Sequence, residues 1–297
     1  MKRRSKFSKF REKFIENFFL LNGILVILIL VGIFYLLLNE SLPTFKEVSI
    51  VQFFTSAIWN PTGYHEQSYG IVSLIFSTIV VTVGSLLFAV PLGIACAAYL
   101  SEVAPPKVRE VLKPTVEILA GIPSVVIGFL GIVLIGPMIA KVFGLPNGLN
   151  AINGSVLLGI MALPTIISIS EDAINAVPED YKKASVALGA TEWQTLVKVT
   201  IPAALSGIIA AVMLGMGRAI GETMAVLMAT GNAPAFPKSI FSSVRTMTAT
   251  VGIELGEVAY NTTHYYSLFA IGLVLFIMTF LINLISDLVL HKYEEAE

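Results

Sequence analysis

The sequence predicts an all-α integral membrane fold with six transmembrane helices, and three observations predict it. Hydrophobic residues make up 56% of the 297 positions and charged residues only 13%, where soluble domains carry about 25% charged. Six segments reach or approach the roughly 20 apolar residues that a spanning helix needs: 18–38, 71–100, 118–140, 151–169, 203–229 and 266–290. Lysine and arginine crowd one set of the connecting segments and are sparse in the other, as membrane orientation requires.

The first span follows Lys2, Arg3, Arg4, Lys6, Lys9, Arg11 and Lys13. That cluster also fits a signal peptide or an anionic-lipid contact, but the long apolar run and the lack of an A-x-A site favour a retained helix. The second span holds Cys96, the only cysteine, so an internal disulfide and a cysteine-rich metal site are excluded. Pro123, Pro137 and Pro164 interrupt the third and fourth spans. Such breaks survive at membrane depth only where protein or a water-filled cavity satisfies the freed backbone groups. Lys107, Arg109 and Lys113 follow the second span, Lys182, Lys183 and Lys198 the fourth, and Lys292 the last, all on the side of the basic N-terminus. The other side has Lys46, Lys141, Lys238 and Arg245. Both termini are therefore expected in the cytoplasm. The expected division is a basic N-terminus 1–17, a first helix with its external loop 18–69, a membrane core 70–290 and a cytoplasmic tail 291–297.

The connection between the fourth and fifth spans, "SEDAINAVPEDYKKASVALGATEWQTLVKVTIPAAL", is longer than joining two helices requires. Pro178, Glu179 and Asp180 suit the first turn of a short helix, where the dipole favours acids. Gly189 suits its C-terminal cap, and Thr191 can cap a second helix starting at Glu192 and Trp193. Ala184, Ala187 and Leu188 form an apolar stripe that a purely solvated hairpin has little use for. A docking element for a soluble partner is the reading this favours, with the fifth span starting at Pro202.

The fifth span contains "GMGRAIGETMAVLM", residues 215–228, where Arg218 and Glu222 interrupt an apolar run. A charge in hydrocarbon costs at least about 2.5–3.5 kcal/mol, so something compensates for it or uses it. Arg218 falls about 22 Å along a helix beginning near Ala203, and Glu222 is expected one turn further on the same face. Two readings stay open. In one, Arg218 is a transient counter-ion for an oxyanion, its planar fork matching the oxygens, and Glu222 prevents permanent capture. In the other, the two are an ion pair that locks helix packing, although arginine before glutamate is the less favourable order. Gly217 and Gly221, with Gly215 nearby, form a small-residue step that is expected at a helix interface.

Other candidates are weaker. Glu117 reads as an acid in the first turn of the third span. Glu254 and Glu257 lie in the external segment 230–265, which forms either a helix lining an outer gate or a solvated loop, with Arg245 as its best anion contact. The "HEQSY" at His65 lacks a second histidine for a metal site. His264 and His291 read as membrane-boundary residues, and Asn261-Thr262-Thr263 is a sequon by spelling only. The chain has no Gly-Lys pair and so no phosphate-binding loop for ATP. No nucleophile–base–acid set stands out, so an enzyme is not expected, and nothing points to nucleic acid.

The segment "KKASVALGATEWQTLVKVTIP" resembles the E-A-A…G…I-x-L-P loop of ABC-importer permeases, with Lys183-Ala184-Ser185, Gly189 and Val199-Thr200-Ile201-Pro202 at the matching positions. Lys183 replaces the family's glutamate. The stretches "APPKVREVLKPTVEILAGIPSVVIGFLG", "LPTIISISEDAINAVPEDY", "GRAIGETMAVLMATGN", "VRTMTATVGIELGEV" and "HYYSLFAIGLVLF" further resemble the phosphate-specific ABC permeases of the PstC type. The resemblance implies a type I (MetI-like) importer permease in the prokaryotic plasma (inner) membrane. It implies that Tyr181, Lys183, Ala184, Ser185, Leu188, Gly189 and Ala190 belong to a coupling segment, 177–202, seated on a separate ATPase. It also implies a PstA-type second permease, a PstB-type ATPase dimer that uses ATP and magnesium, an extracytoplasmic PstS-type binding protein, and a PhoU-type regulator. The chain itself is expected to bind no cofactor. Arg218, Glu222 and Arg245 are the expected substrate-path residues. Charge alone suits sulfate or molybdate equally, and a stand-alone secondary transporter or channel is the rival class, needing no coupling segment.

Overall fold

The computed structural model describes residues 6–63 and 66–294, with the side chains of 12–63 and 66–288. Helix α1 (Lys6–Ser41) is followed by two short helices, α2 (Thr44–Glu47) and α3 (Ile50–Thr55), and an antiparallel pair, β1 (Trp59–Asn60) with β2 (Ser68–Tyr69). Next come α4 (Val72–Ala98), α5 (Pro106–Ala120), α6 (Ser124–Leu130), α7 (Gly136–Phe143) and α8 (Ala151–Asn175). The chain continues with α9 (Glu179–Ala187), α10 (Glu192–Thr195), α11 (Ile201–Ala203), α12 (Leu205–Gly221), α13 (Met224–Ala229), α14 (Met247–Glu254) and α15 (Thr263–Glu294). Among the described residues, five helices are long and apolar enough to cross a membrane, and a sixth span is reached if one bent pair is counted as one. His65 falls outside the described residues, as does the side chain of His291.

Helix α8 is the centre of the bundle. It runs parallel to α4, with Gly84 facing Ser155 and Gly159 facing Phe88. Ile166 sits between two glycine notches. A Cβ added at Gly93 would lie 2.6 Å from one of its carbons, and a Cβ added at Gly215 would lie 2.9 Å from another. Small residues permit this approach where lipid supplies no hydrophobic drive between helices. Helix α1 stands at the margin against α15, with Phe34 and Phe276 ring centres 5.7 Å apart. Most of its other described apolar side chains are exposed, a surface that suits lipid.

Three spans differ from expectation. The third is not continuous over 118–140, because α5 ends at Gly121 and the chain restarts at α6 after Pro123. Pro123 lacks an N–H and drives the preceding residue out of helical geometry. Residues 118–120 therefore belong to α5, and Glu117 lies in the second half of that helix, not in the first turn of a span. The fourth span, by contrast, runs through Pro164 to Asn175. Packing of α8 against α4 and α12 outweighs the lost backbone bond there. The fifth span bends by 68° at Ala204 and stops at Gly221. Glu222 is extended (φ −70°, ψ 129°), and α13 begins only at Met224.

At one end of the bundle, α2, α3 and the β pair fold back over the helices. Phe53, Trp59, Tyr69 and Ile71 share a core there with Met247, Leu268 and Ile271. Between α13 and α15, the segment read as either a helix or a solvated loop contains α14, whose residues 247–250 are buried. At the opposite end, α9 and α10 form a helical hairpin. Gly189 terminates α9 with φ +90°, a conformation that L side chains rarely adopt.

Candidate functional site

Arg218 occupies the last turn of α12, and its side chain is exposed. Glu222 does not share its helix face. The helix has ended, and the Glu222 carboxylate instead accepts the Ala225 backbone N–H at 3.1 Å, capping α13. The two charges therefore form no ion pair, which corrects the geometry expected for them. The small-residue step divides as well. Gly215 packs on Ile166 and Ala162, whereas a Cβ at Gly217 or Gly221 would meet nothing within 4 Å. The face carrying Gly217, Arg218 and Gly221 is thus left uncovered by the described residues. Beside the break lies a cavity of about 610 Å³ lined by Gly221, Thr223, Thr248, Gly252, Ile271 and Leu275 among others. The Glu222 carbonyl accepts the Thr248 hydroxyl at 2.8 Å across the break.

Arg245, the expected anion contact, already has partners. Its Nη1 lies 2.7 Å from Glu254 Oε1, and its Nε donates to the Asn232 carbonyl at 2.8 Å. Trp59 Nε1 donates to both Glu254 oxygens, at 3.1 and 3.0 Å, and His264 Nε2 lies 2.8 Å from Oε2. Glu254 thereby gathers donors from three separate segments beside a cavity of about 770 Å³. Sequence reasoning named Glu254 only as part of a loop and His264 only as a boundary residue. Trp59 is 195 positions from Glu254, and no local pattern reports such a distant pair.

On the hairpin, Tyr181, Lys183, Ala184, Val186, Leu188, Gly189 and Trp193 are exposed, Leu188 to 90%, while Ser185 and Ala190 are half-buried. Thr191 accepts from the Gln194 N–H and the Gln194 side chain accepts from the Thr191 N–H, so the second helix starts with a reciprocal cap. Ser185 and Thr195 hydroxyls meet at 2.9 Å and close the hairpin. Lys182 ties it to the membrane core through Glu102 at 2.7 Å. Burial lowers the Lys182 pKa, but bonding to Glu102 and Glu179 outweighs this and leaves it raised. Nearby is an ion cluster that sequence reasoning missed. Glu171, only 1% exposed near the end of α8, is 2.7 Å from Arg109 and 3.1 Å from Lys113 on α5. Bonding to Glu171 is the main cause that raises the Lys113 pKa. The spacing of Glu171 at the end of an apolar run was the available signal; its partners are 58 or more positions away.

Comparison with known proteins adds an independent line. The family profile described as "Binding-protein-dependent transport system inner membrane component" matches residues 89–294. A "Probable ABC transporter permease protein YqgH" of Bacillus subtilis is 43% identical over 238 residues, which is 80% of this chain and 77% of that protein. A "Phosphate transport system permease protein PstC" of Mesorhizobium japonicum is 36% identical over 261 residues, covering 82% and 79%. Among solved structures, a chain of a bacterial alginate ABC transporter in complex with an alginate-bound periplasmic protein matches with TM-score 0.62 at 15% identity, over 95% of this chain and 96% of that one. A chain of the inward-facing MetNI methionine ABC transporter matches with TM-score 0.60 at 22% identity, over 75% and 95%. These structures establish the fold, which agrees with the importer-permease architecture expected from sequence.

Proposed function

Because the chain belongs to the family of binding-protein-dependent transport system inner membrane components, we propose that it is a permease subunit of an ATP-driven phosphate importer. The observation that carries this reading is the uncovered face around Arg218. An exposed guanidinium beside a broken helix, deep in an apolar span, calls for a second subunit to cover it. Two such faces brought together enclose a path, and one cation on its wall is a transient counter-ion for an oxyanion. Phosphate, as opposed to sulfate or molybdate, is supported by the names of the PstC relatives and not by the charge.

In this reading the face is met by a PstA-type permease, and the exposed hairpin by a PstB-type ATPase dimer that binds ATP and magnesium. A PstS-type binding protein delivers phosphate at the end bearing α2, α3 and the β pair, and a PhoU-type regulator completes the set. The hairpin end and both termini are cytoplasmic, in agreement with the distribution of lysine and arginine. Closure of the ATPase dimer presses on Tyr181, Lys183, Ala184, Ser185, Leu188, Gly189 and Ala190. The bend at Ala204 passes that movement into α12 and so to Arg218. Glu222 contributes as the residue that fixes the break and as a negative charge limiting anion retention.

The test is phosphate uptake in vesicles carrying the assembled complex. Arg218→Gln and Glu222→Gln should each lower uptake at least about tenfold, the usual order for losing one interaction to a charge, while assembly and ATP hydrolysis persist. Since the two side chains are not paired, the double variant should not recover. Recovery in the double variant, with failed assembly in the singles, would assign them to packing. Competition by sulfate or molybdate at concentrations that saturate phosphate uptake would reassign the substrate.

A further inference from the structure

Helix α14 is tied at both ends, and the two ties lead to different parts of the molecule. At its C-terminal end the Glu254 carboxylate, 15% exposed on its side chain, holds Arg245 and His264. It also accepts the indole N–H of Trp59, which is 3% exposed and belongs to the β pair folded over the outer end. At its N-terminal end the Met247 N–H donates to Thr78 on α4 at 3.1 Å, and the Thr246 hydroxyl caps Ala249 at 3.2 Å. One residue on, the Thr248 hydroxyl donates to the Glu222 carbonyl at 2.8 Å. Glu222 is the residue whose own carboxylate starts α13. The distance between the attachments is short. Thr248 and Glu254 are separated by six positions, about 9 Å along a helix, and a helix of two turns moves as a unit.

We propose that α14 is a mechanical link that transmits displacement of the outer loops to the charged break of the fifth span, with Glu254 and Thr248 as positioning residues. Its role in transport rests on the importer reading above; its geometry does not. Movement of the β pair, which lines the 770 Å³ cavity at the outer end, pulls on Trp59 and hence on Glu254. Tilting of α14 then shifts the Thr248 hydroxyl, the Glu222 peptide and the cap of α13. Neither residue touches substrate. Their effect is on where Glu222, and through the end of α12 Arg218, come to rest. A static brace made of the same bonds would stabilise each end separately. A link, being in series, is broken once by a cut at either end.

Hydrogen–deuterium exchange on the importer purified with its partner subunits in lipid nanodiscs distinguishes the two. Trp59→Phe removes the indole N–H together with the volume of the pyrrole ring, Glu254→Gln removes the charge, and Thr248→Val removes the hydroxyl at nearly constant shape. Each should speed amide exchange in residues 222–229 by about three- to tenfold, the size of one lost hydrogen bond. Thr248→Ser should restore the wild-type rate, and Glu254→Gln combined with Thr248→Val should be no faster than the single variants. In vesicles, the same variants should lower phosphate uptake stimulated by the binding protein while ATP hydrolysis without it continues. The proposal is overturned if Trp59→Phe and Glu254→Gln alter exchange only in 246–254, or if the double variant is additive. If wild-type vesicles take up no phosphate while the exchange pattern holds, the substrate reading fails and the link stands.

Discussion

Arg218 and Glu222 are four positions apart, and on a continuous helix they would face the same way. The break at Glu222 separates them, and each then has its own task. Glu222 as a cap has a measurable consequence: Glu222→Ala removes the acceptor for the Ala225 N–H, at a cost of about 1 kcal/mol. Faster exchange of that amide in the assembled complex, about fivefold, is the expected reading, and an unchanged rate would remove the capping role. Gly215 makes a second residue-scale case. Its absent Cβ leaves room for Ile166, with 2.9 Å available to the nearest carbon, so Gly215→Val forces α12 away from α8. We expect a loss of about 1–3 kcal/mol, seen as a lower Tm, whereas a Cβ added at Gly217 meets nothing within 4 Å among the described residues. If Gly217→Val disrupts copurification of the second permease and leaves the isolated subunit's Tm unchanged, the uncovered face is the contact surface.

At the scale of the element, the α9–α10 hairpin was the most legible part of the sequence. Pro178 before the first helix, the Gly189 stop and the Thr191 cap all fall where local chemistry places them, because capping is decided within a few residues. Its function is tested by bulk. Gly189→Trp strains a φ of +90°, and Ala184→Trp enlarges an exposed face. Both should uncouple ATP hydrolysis from uptake without preventing membrane insertion, and normal uptake with normal ATPase copurification would count against the assignment. The Lys182–Glu102 tie behaves predictably with pH. The Lys182 pKa is raised in the fold, so the contribution is complete below the ordinary lysine range and is lost as pH rises through the raised value. Hairpin exchange, taken relative to the intrinsic base-catalysed rate at each pH, should therefore be constant through neutral pH and quicken only in strong alkali. Lys182→Met should speed it at every pH below that by about fivefold, a bond worth ~1 kcal/mol.

For the whole molecule, the third span shows how the parts are assembled. Helix α5 is severed from that span by Pro123, and the ion cluster on Glu171 holds it against α8. A carboxylate 1% exposed and stripped of both cations is an uncompensated buried charge. Arg109→Met with Lys113→Met should cost on the order of 3–5 kcal/mol, and adding Glu171→Gln should recover much of it. The Tm of the purified complex reads both, and no recovery would show that the cluster does not hold the two helices together. The cluster, the hairpin tie and the bend at Ala204 lie at one end of the bundle, and the Glu254 node lies at the other. The charged break stands between them.

Sequence alone determined the membrane class, the number of spans and the hairpin, because hydropathy, loop charge and caps are properties of neighbouring residues. It also singled out Arg218, since a charge in an apolar run is conspicuous wherever the run folds. What only the tertiary structure decided were the things that depend on distant partners. Pro164 is carried inside a helix by packing from α4 and α12, while Pro123 breaks one. Arg245 is held by Glu254, and Trp59 reaches that same carboxylate from 195 positions away. The end of α12 at Gly221 belongs with these. Gly221 weakens a helix locally, but Gly215 and Gly217 do so without ending it, and the break exists because the Thr248 hydroxyl and the Glu222 carboxylate satisfy backbone groups that a continuous helix would have paired within itself.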